Sequence, residues 1–125
     1  MPSREPALAD QRARPPQRGD APLTRAERAP LVRQVRAWTI SRQRELRREF
    51  KFPDFAKALA FVNAIGRLAE RQGHHPDLEL GWGRVAVSLS THAIGGLSQA
   101  DFVLAAKIDR LHARRRPGAR RKARR

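Results

Sequence analysis

The chain has 125 residues, 40% of them apolar, and a formal net charge of +15. It contains no Cys, which excludes disulfides, thiolate metal sites and cysteine nucleophiles, and no apolar run approaches the roughly 20 residues needed to cross a membrane. The N-terminus has no apolar signal core, and Glu5, Asp10 and Asp20 speak against a transit peptide, so a cytoplasmic protein is expected.

The two ends are poor in core-forming residues. Met1 to Pro22 shows no apolar period, and Ala113 to Arg125 holds eight basic residues and no acid. Neither end offers apolar surface to offset the entropy of ordering. The expected organisation is therefore a disordered segment over 1–22, a folded domain over 23–112 and a disordered basic tail over 113–125. A folded core of only about 90 residues buries a limited share of its surface, so a homodimer or homotetramer is expected. The tail could make weak nucleic-acid contact, although Arg outnumbers Lys by 23 to 4, a bias that a GC-rich genome also produces.

Thr24 and Glu27 form a capping box, and Leu31, Val32 and Val35 follow at helical spacing, which predicts a helix over about 24–36. Trp38 opens a short strand-like segment. Leu46, Phe50 and Phe52 alternate with charged residues as in a strand with one wet face, apart from Arg48, which breaks the apolar side. Pro53 and Asp54 stop that strand and cap a helix whose stripe is Phe55, Ala58, Leu59, Val62, Ile65 and Ala69. It should end near Gln72, with Gly73 at C′. Leu78 and Leu80 lead into a turn at Gly81–Gly83, and Val85, Val87 and Leu89 make the clearest strand. Thr91 to Gly96 is a loop. Ser98 and Asp101 pair as a second capping box, before a helix on Phe102, Ala105, Ile108 and Leu111 that runs to about His112. Hairpin-like strand pairs imply antiparallel pairing, so the fold class is α+β: a two-layer sandwich with a four-stranded antiparallel sheet and three helices on one face.

Three of the four histidines, His74, His75 and His92, lie in two loops flanking the second hairpin. The start of one antiparallel strand lies beside the end of the next, so both loops meet at one edge of the sheet and the three imidazoles can share a pocket. Imidazole is suited to moving protons near neutral pH. Without a Ser or Cys partner, and without HExxH spacing, proton transfer without metal or cofactor is the reading of choice. Trp38 and Trp82 read as core aromatics.

Glu70, three residues, His74-His75-Pro76, five residues, Trp82, nine residues, His92, eight residues and Asp101 resemble the signature of pterin-4a-carbinolamine dehydratases. The resemblance runs from about Leu23 to Leu111 and includes Phe50 to Phe55, Ser90-Thr91-His92 and Gly95-Gly96-Leu97. It implies a cofactor-free dehydratase acting on 4a-hydroxytetrahydropterin to give quinonoid dihydropterin, in support of tetrahydrobiopterin recycling. It further implies that His74 and His92 act as acid and base, that His75 helps to bind the pterin, and that Glu70, Pro76, Ser90, Thr91 and Asp101 line the site. Asp101 also reads as a helix-capping residue. Ala93 departs from the pattern, since relatives usually carry an acid there. The alternative is a pterin-related or transcription-coactivator-like binding protein whose basic tail contacts nucleic acid.

Overall fold

The structure, a computed structural model, describes residues 5–42 and 44–115. Its elements in order are α1 (Arg25–Val32), β1 (Thr39–Ser41), β2 (Glu45–Lys51), α2 (Phe55–Gln72), β3 (Asp77–Gly81), β4 (Arg84–Leu89) and α3 (Gln99–Arg115). The four strands form one antiparallel sheet in the order β1-β2-β4-β3. Both hairpins form as the sequence predicts, and they join through β2 and β4.

Register explains which face is buried. Leu46 pairs with Leu89, Arg48 with Val87 and Phe50 with Val85, while Leu78 and Leu80 continue the same rows on β3. Helices α2 and α3 cover this face, and Leu31 and Val32 of α1 pack against the same core. Arg48, the break in the apolar pattern, is accommodated rather than expelled. Its guanidinium lies 4.3 Å from the centre of the Phe50 ring and 2.6 Å from Asp109 Oδ1. Asp109 also accepts from Trp38 Nε1 at 2.8 Å. Burial pushes the Asp109 carboxyl above its usual value, partly opposed by the Trp38 and Arg48 donors. On the other face, Arg84 bridges Glu49 and Glu79. Its hydrogen bond and charge hold the Glu49 carboxyl below its usual value.

Helix α1 ends sooner than its apolar spacing suggests. The capping box of Thr24 and Glu27 is present, but Pro30 sits inside the helix and removes a backbone donor. Past Val32 the chain closes through Gln34 N–Leu31 O, Val35 N–Val32 O and Trp38 N–Val35 O bonds, the tighter three-residue pattern. Helix α2 has the predicted ends: Asp54 accepts from Lys57 N, and Gly73 adopts the left-handed conformation at φ 67°. Helix α3 extends to Arg115, three residues beyond His112. The His112 ring packs against Phe50, Phe52 and Phe61, so the fourth histidine serves the aromatic core.

Three expectations need correction. The segment over 1–22 is not disordered where it is described. Leu8 forms a short 3-10 turn with Ala9 and Asp10 and is 1% exposed against α3. Its backbone partners come from side chains of the fold: Gln34 Oε1 accepts from Leu8 N, Gln72 Oε1 from Ala13 N and Gln99 Oε1 from Arg14 N, while Lys107 Nζ donates to Ala9 O. Two apolar anchors five residues apart, Leu8 and Ala13, and scattered polar bonds create no sequence period, which is why the segment reads as disordered. In the basic tail, residues 113–115 belong to α3, and 116–125 lie outside the described residues. Trp82 is not a core aromatic. It stands at the β3–β4 turn and is 70% exposed, whereas Trp38 is buried as expected.

Candidate active site

The β3–β4 register, with Asp77 opposite Ser88, brings the chain just before β3 beside the chain just after β4. Helix α3 starts beneath both. At this junction lies Asp101, fully buried. Its Oδ1 is 2.6 Å from His74 Nε2. Its Oδ2 accepts from Thr91 Oγ1 at 2.8 Å and from Ser98 N at 2.9 Å. The Thr91 hydroxyl gives its proton to Asp101, so at its 2.8 Å contact with Ser98 Oγ it is the acceptor. One carboxylate therefore caps α3 and ties together the two loops that carry the histidines. The reciprocal half of the capping box is absent, because the Ser98 hydroxyl turns to Thr91. Asp101, expected among the residues lining the site, has no exposed surface and bonds to His74 and Thr91.

His74 is 8% exposed. With Nε2–H given to Asp101, Nδ1 is the ring position left to take or release a proton. His75 has the analogous pairing with a different environment. Its Nε2 lies 2.6 Å from Glu70 Oε2, with both side chains largely exposed. The spacing follows from α2: Glu70 sits in its last turn, and Gly73 reverses the chain so that His75 comes back alongside.

His92 is exposed, at the start of a 3-10 turn over His92–Ile94. That loop is pinned at its base, where Thr91 N donates to Gly96 O and Gly96 N to Thr91 O. Pro22 packs so closely that a Cβ on Gly96 would lie 2.8 Å from its Cβ. Ala93 is exposed beside His92 and supplies no orienting acid.

The histidines do not all line one cavity. Ser90, Thr91 and His92 line a cavity of about 640 Å³. Glu70, His75 and Pro76 line a groove of about 550 Å³ along α2. His74 lies at the buried junction with Asp101. Sequence reasoning missed the groove's Asn63, Gly66 and Arg67, although their spacing of seven, four and three residues before Glu70 puts them on one helix face. It also missed the arginines of the β1–β2 turn, which share the His92 cavity. Finding those requires the strand order. Among the described residues, no group of three or more His, Asp or Glu side chains could hold a metal ion. No helix among them is long and apolar enough to cross a membrane.

A small α+β domain with two histidine–carboxylate pairs near one end of its sheet is the class this structure defines. The particular family is set by comparison. Residues 21–111 match the model of the pterin 4 alpha carbinolamine dehydratase family, and the chain belongs to that family. A relative from Rubrobacter xylanophilus, named as a pterin-4-alpha-carbinolamine dehydratase, is 47% identical over 104 residues, 83% of this chain and 97% of the relative. One of the same name from Alkaliphilus metalliredigens is 45% identical over 82% of this chain and 94% of its own length. Among solved structures, the transcriptional coactivator/pterin dehydratase of Brucella melitensis superposes with a TM-score of 0.68 at 32% identity, covering 72% of this chain and 97% of that one. A pterin dehydratase-like RuBisCO assembly factor of the alpha-carboxysome is similar at a TM-score of 0.53 and 26% identity, covering 62% of this chain and 92% of that one.

Proposed function

We propose that the chain dehydrates 4a-hydroxytetrahydropterins to quinonoid dihydropterins by histidine acid/base catalysis, supporting tetrahydropterin recycling. The observation that carries this is the buried Asp101, which fixes the tautomer of His74 and holds Thr91, the residue before His92. In the reaction, the N5 lone pair expels the C4a hydroxyl. That hydroxyl leaves as water once an acid protonates it, and a base removes the N5 proton. His74 through Nδ1 and the exposed ring of His92 are the two groups for these roles, each worth about 10²–10⁴-fold. The family resemblance assigns pterin contacts to Ser90 and Thr91 in the His92 cavity and to His75, held by Glu70, and Pro76 in the α2 groove. A shared fold does not fix an activity; the presence of all three histidines and both carboxylate partners supports the enzymatic reading over a purely binding role.

The active species in this reading is a homo-oligomer. Phe55 and Leu59, one turn apart on α2, are 44% and 39% exposed and offer an apolar stripe to a second copy. The decisive experiment is a coupled assay of the full chain with enzymatically generated 4a-hydroxytetrahydropterin. Acceleration over the spontaneous dehydration is expected. A rate equal to the spontaneous one would overturn the proposal.

A further inference from the structure

The cavity beside His92 has a second wall that a neutral pterin does not require. Opposite Ser90, Thr91 and His92 stand the β1–β2 turn, with Arg42 and Arg44, and the flanking strand residues Ser41, Glu45 and Arg47. The sheet order explains the meeting: β2 pairs with β4, and Leu46 faces Leu89, so the turn before β2 lies beside the loop after β4. We propose that this wall is a subsite for an anionic substituent on the pterin side chain, a phosphate ester or a carboxylate, with the three arginines as its donors. The inference rests on the pterin reading and names the substrate class within it.

Charge is the first argument. Three guanidinium groups and one carboxylate leave an excess of two positive charges on one side of a concavity, where field lines are focused toward a bound anion. Pairing is the second. Arg48, Arg84 and Arg110 each hold a carboxylate within 3.2 Å. Among the described residues, Arg42 and Arg44 form no such ion pair. Arg47 donates to Ser88 Oγ at 3.2 Å, and its contact with Glu49 is a loose 3.8 Å because Arg84 already takes that carboxylate at 3.1 Å. Arg42 moreover adopts φ 54°, a left-handed conformation that costs energy for a residue with a Cβ and that Gly or Asn would accept more readily. The turn thus keeps an arginine where local preference disfavours it.

Ligand chemistry supplies the third argument. In a pterin the C6 substituent is bonded next to N5, and N5 is next to the reacting C4a. A ring that presents this edge to His92 therefore sends its C6 side chain toward the same wall. The cavity volume of about 640 Å³ falls within the roughly 300–1,000 Å³ usual for small-molecule sites. The planar fork of arginine matches phosphate and carboxylate oxygens two at a time.

The test is a titration of the full chain with 6-hydroxymethylpterin, its phosphate ester and pterin-6-carboxylate, followed by pterin fluorescence at low and high salt. At least one anionic pterin is expected to bind about tenfold more tightly than the neutral one, the worth of one charge-assisted contact. The order of phosphate and carboxylate identifies which anion the wall takes. The ratio should fall toward one in the Arg42→Ala/Arg44→Ala double variant and at high salt, and stay unchanged in Arg36→Ala, which removes one positive charge outside the cavity. Equal affinities in the unaltered chain, or a ratio that survives the double variant, would overturn the subsite. A parallel assay with a neutral 4a-hydroxytetrahydropterin separates the two readings. Turnover with no anion preference keeps the dehydratase and removes the subsite. Anion preference without turnover does the reverse, and binding of no pterin removes both.

Discussion

Replacing Asp101 separates its two duties by chemistry. In Asp101→Ala, three groups lose their acceptor inside the protein: His74 Nε2, the Thr91 hydroxyl and the Ser98 N–H. Each stranded donor costs about 1–3 kcal/mol, so a loss of roughly 3 kcal/mol or more is expected. In Asp101→Asn the side chain keeps its shape. Its carbonyl oxygen can take the Oδ2 place and retain Thr91 and Ser98, while its amide faces His74. The imidazole must then accept at Nε2 and carry its proton on Nδ1, the tautomer opposite to the one proposed for the unaltered chain. The fold should lose only about 1–3 kcal/mol with the charge, whereas turnover should fall by about 10²–10⁴-fold. Urea denaturation and turnover per folded molecule measure the two separately. Near-normal turnover in a folded Asp101→Asn protein would refute the assignment of Asp101 as the residue that positions His74.

Further outcomes follow from the same geometry. His92→Ala should slow turnover by about 10²–10⁴-fold with little change in stability, since the ring is exposed; His74→Ala should match it in rate but also destabilise by about 1–3 kcal/mol, because it leaves a buried Asp101 oxygen unpaired. Leu8→Ala should cost about 2–5 kcal/mol in urea denaturation, given its 1% exposure, and a loss below about 0.5 kcal/mol would mean that the arm is not docked in solution. Asp109 has a folded-state pKa raised by burial, so the native state binds its proton more tightly than the unfolded chain does. Its contribution to stability is therefore greatest at acid pH and declines as pH rises through the window above the ordinary carboxylate value; relative to wild type, Asp109→Asn should gain stability across that rise, and a gain in the opposite direction would contradict the burial argument. Sedimentation at micromolar concentration should show a species larger than 14.2 kDa, while a clean monomer would remove the oligomer from the proposal.

Much of the fold is legible because local rules and tertiary packing agree. The ends of α2 at Asp54 and Gly73, the alternation of Val85, Val87 and Leu89, and the two hairpins all emerge from short-range patterns. The site is legible in its residue types and in the meeting of two loops. It is not legible in its partition, because whether His74 faces inward or outward depends on Asp101, which is 27 positions away in sequence. Helix α1 stops at Val32, short of its apolar spacing. Trp82 illustrates the opposite limit, since a turn flanked by glycines can carry a large aromatic outward without disturbing any period. The arginine wall depends on β2 lying next to β4, a pairing that hydrophobic alternation alone does not dictate.

The N-terminal arm changes where this molecule ends. Residues 100–106 of α3 are buried without interruption, although a helix on the outside of a two-layer fold would ordinarily keep one side wet. Such a helix is an interior element, with the sheet on one side and Leu8 and its neighbours on the other. The family model matches from residue 21, whereas the packing reaches back to Leu8. A chain cut at residue 21 would be opened through its own interior, with a dry trench along α3 turned toward water.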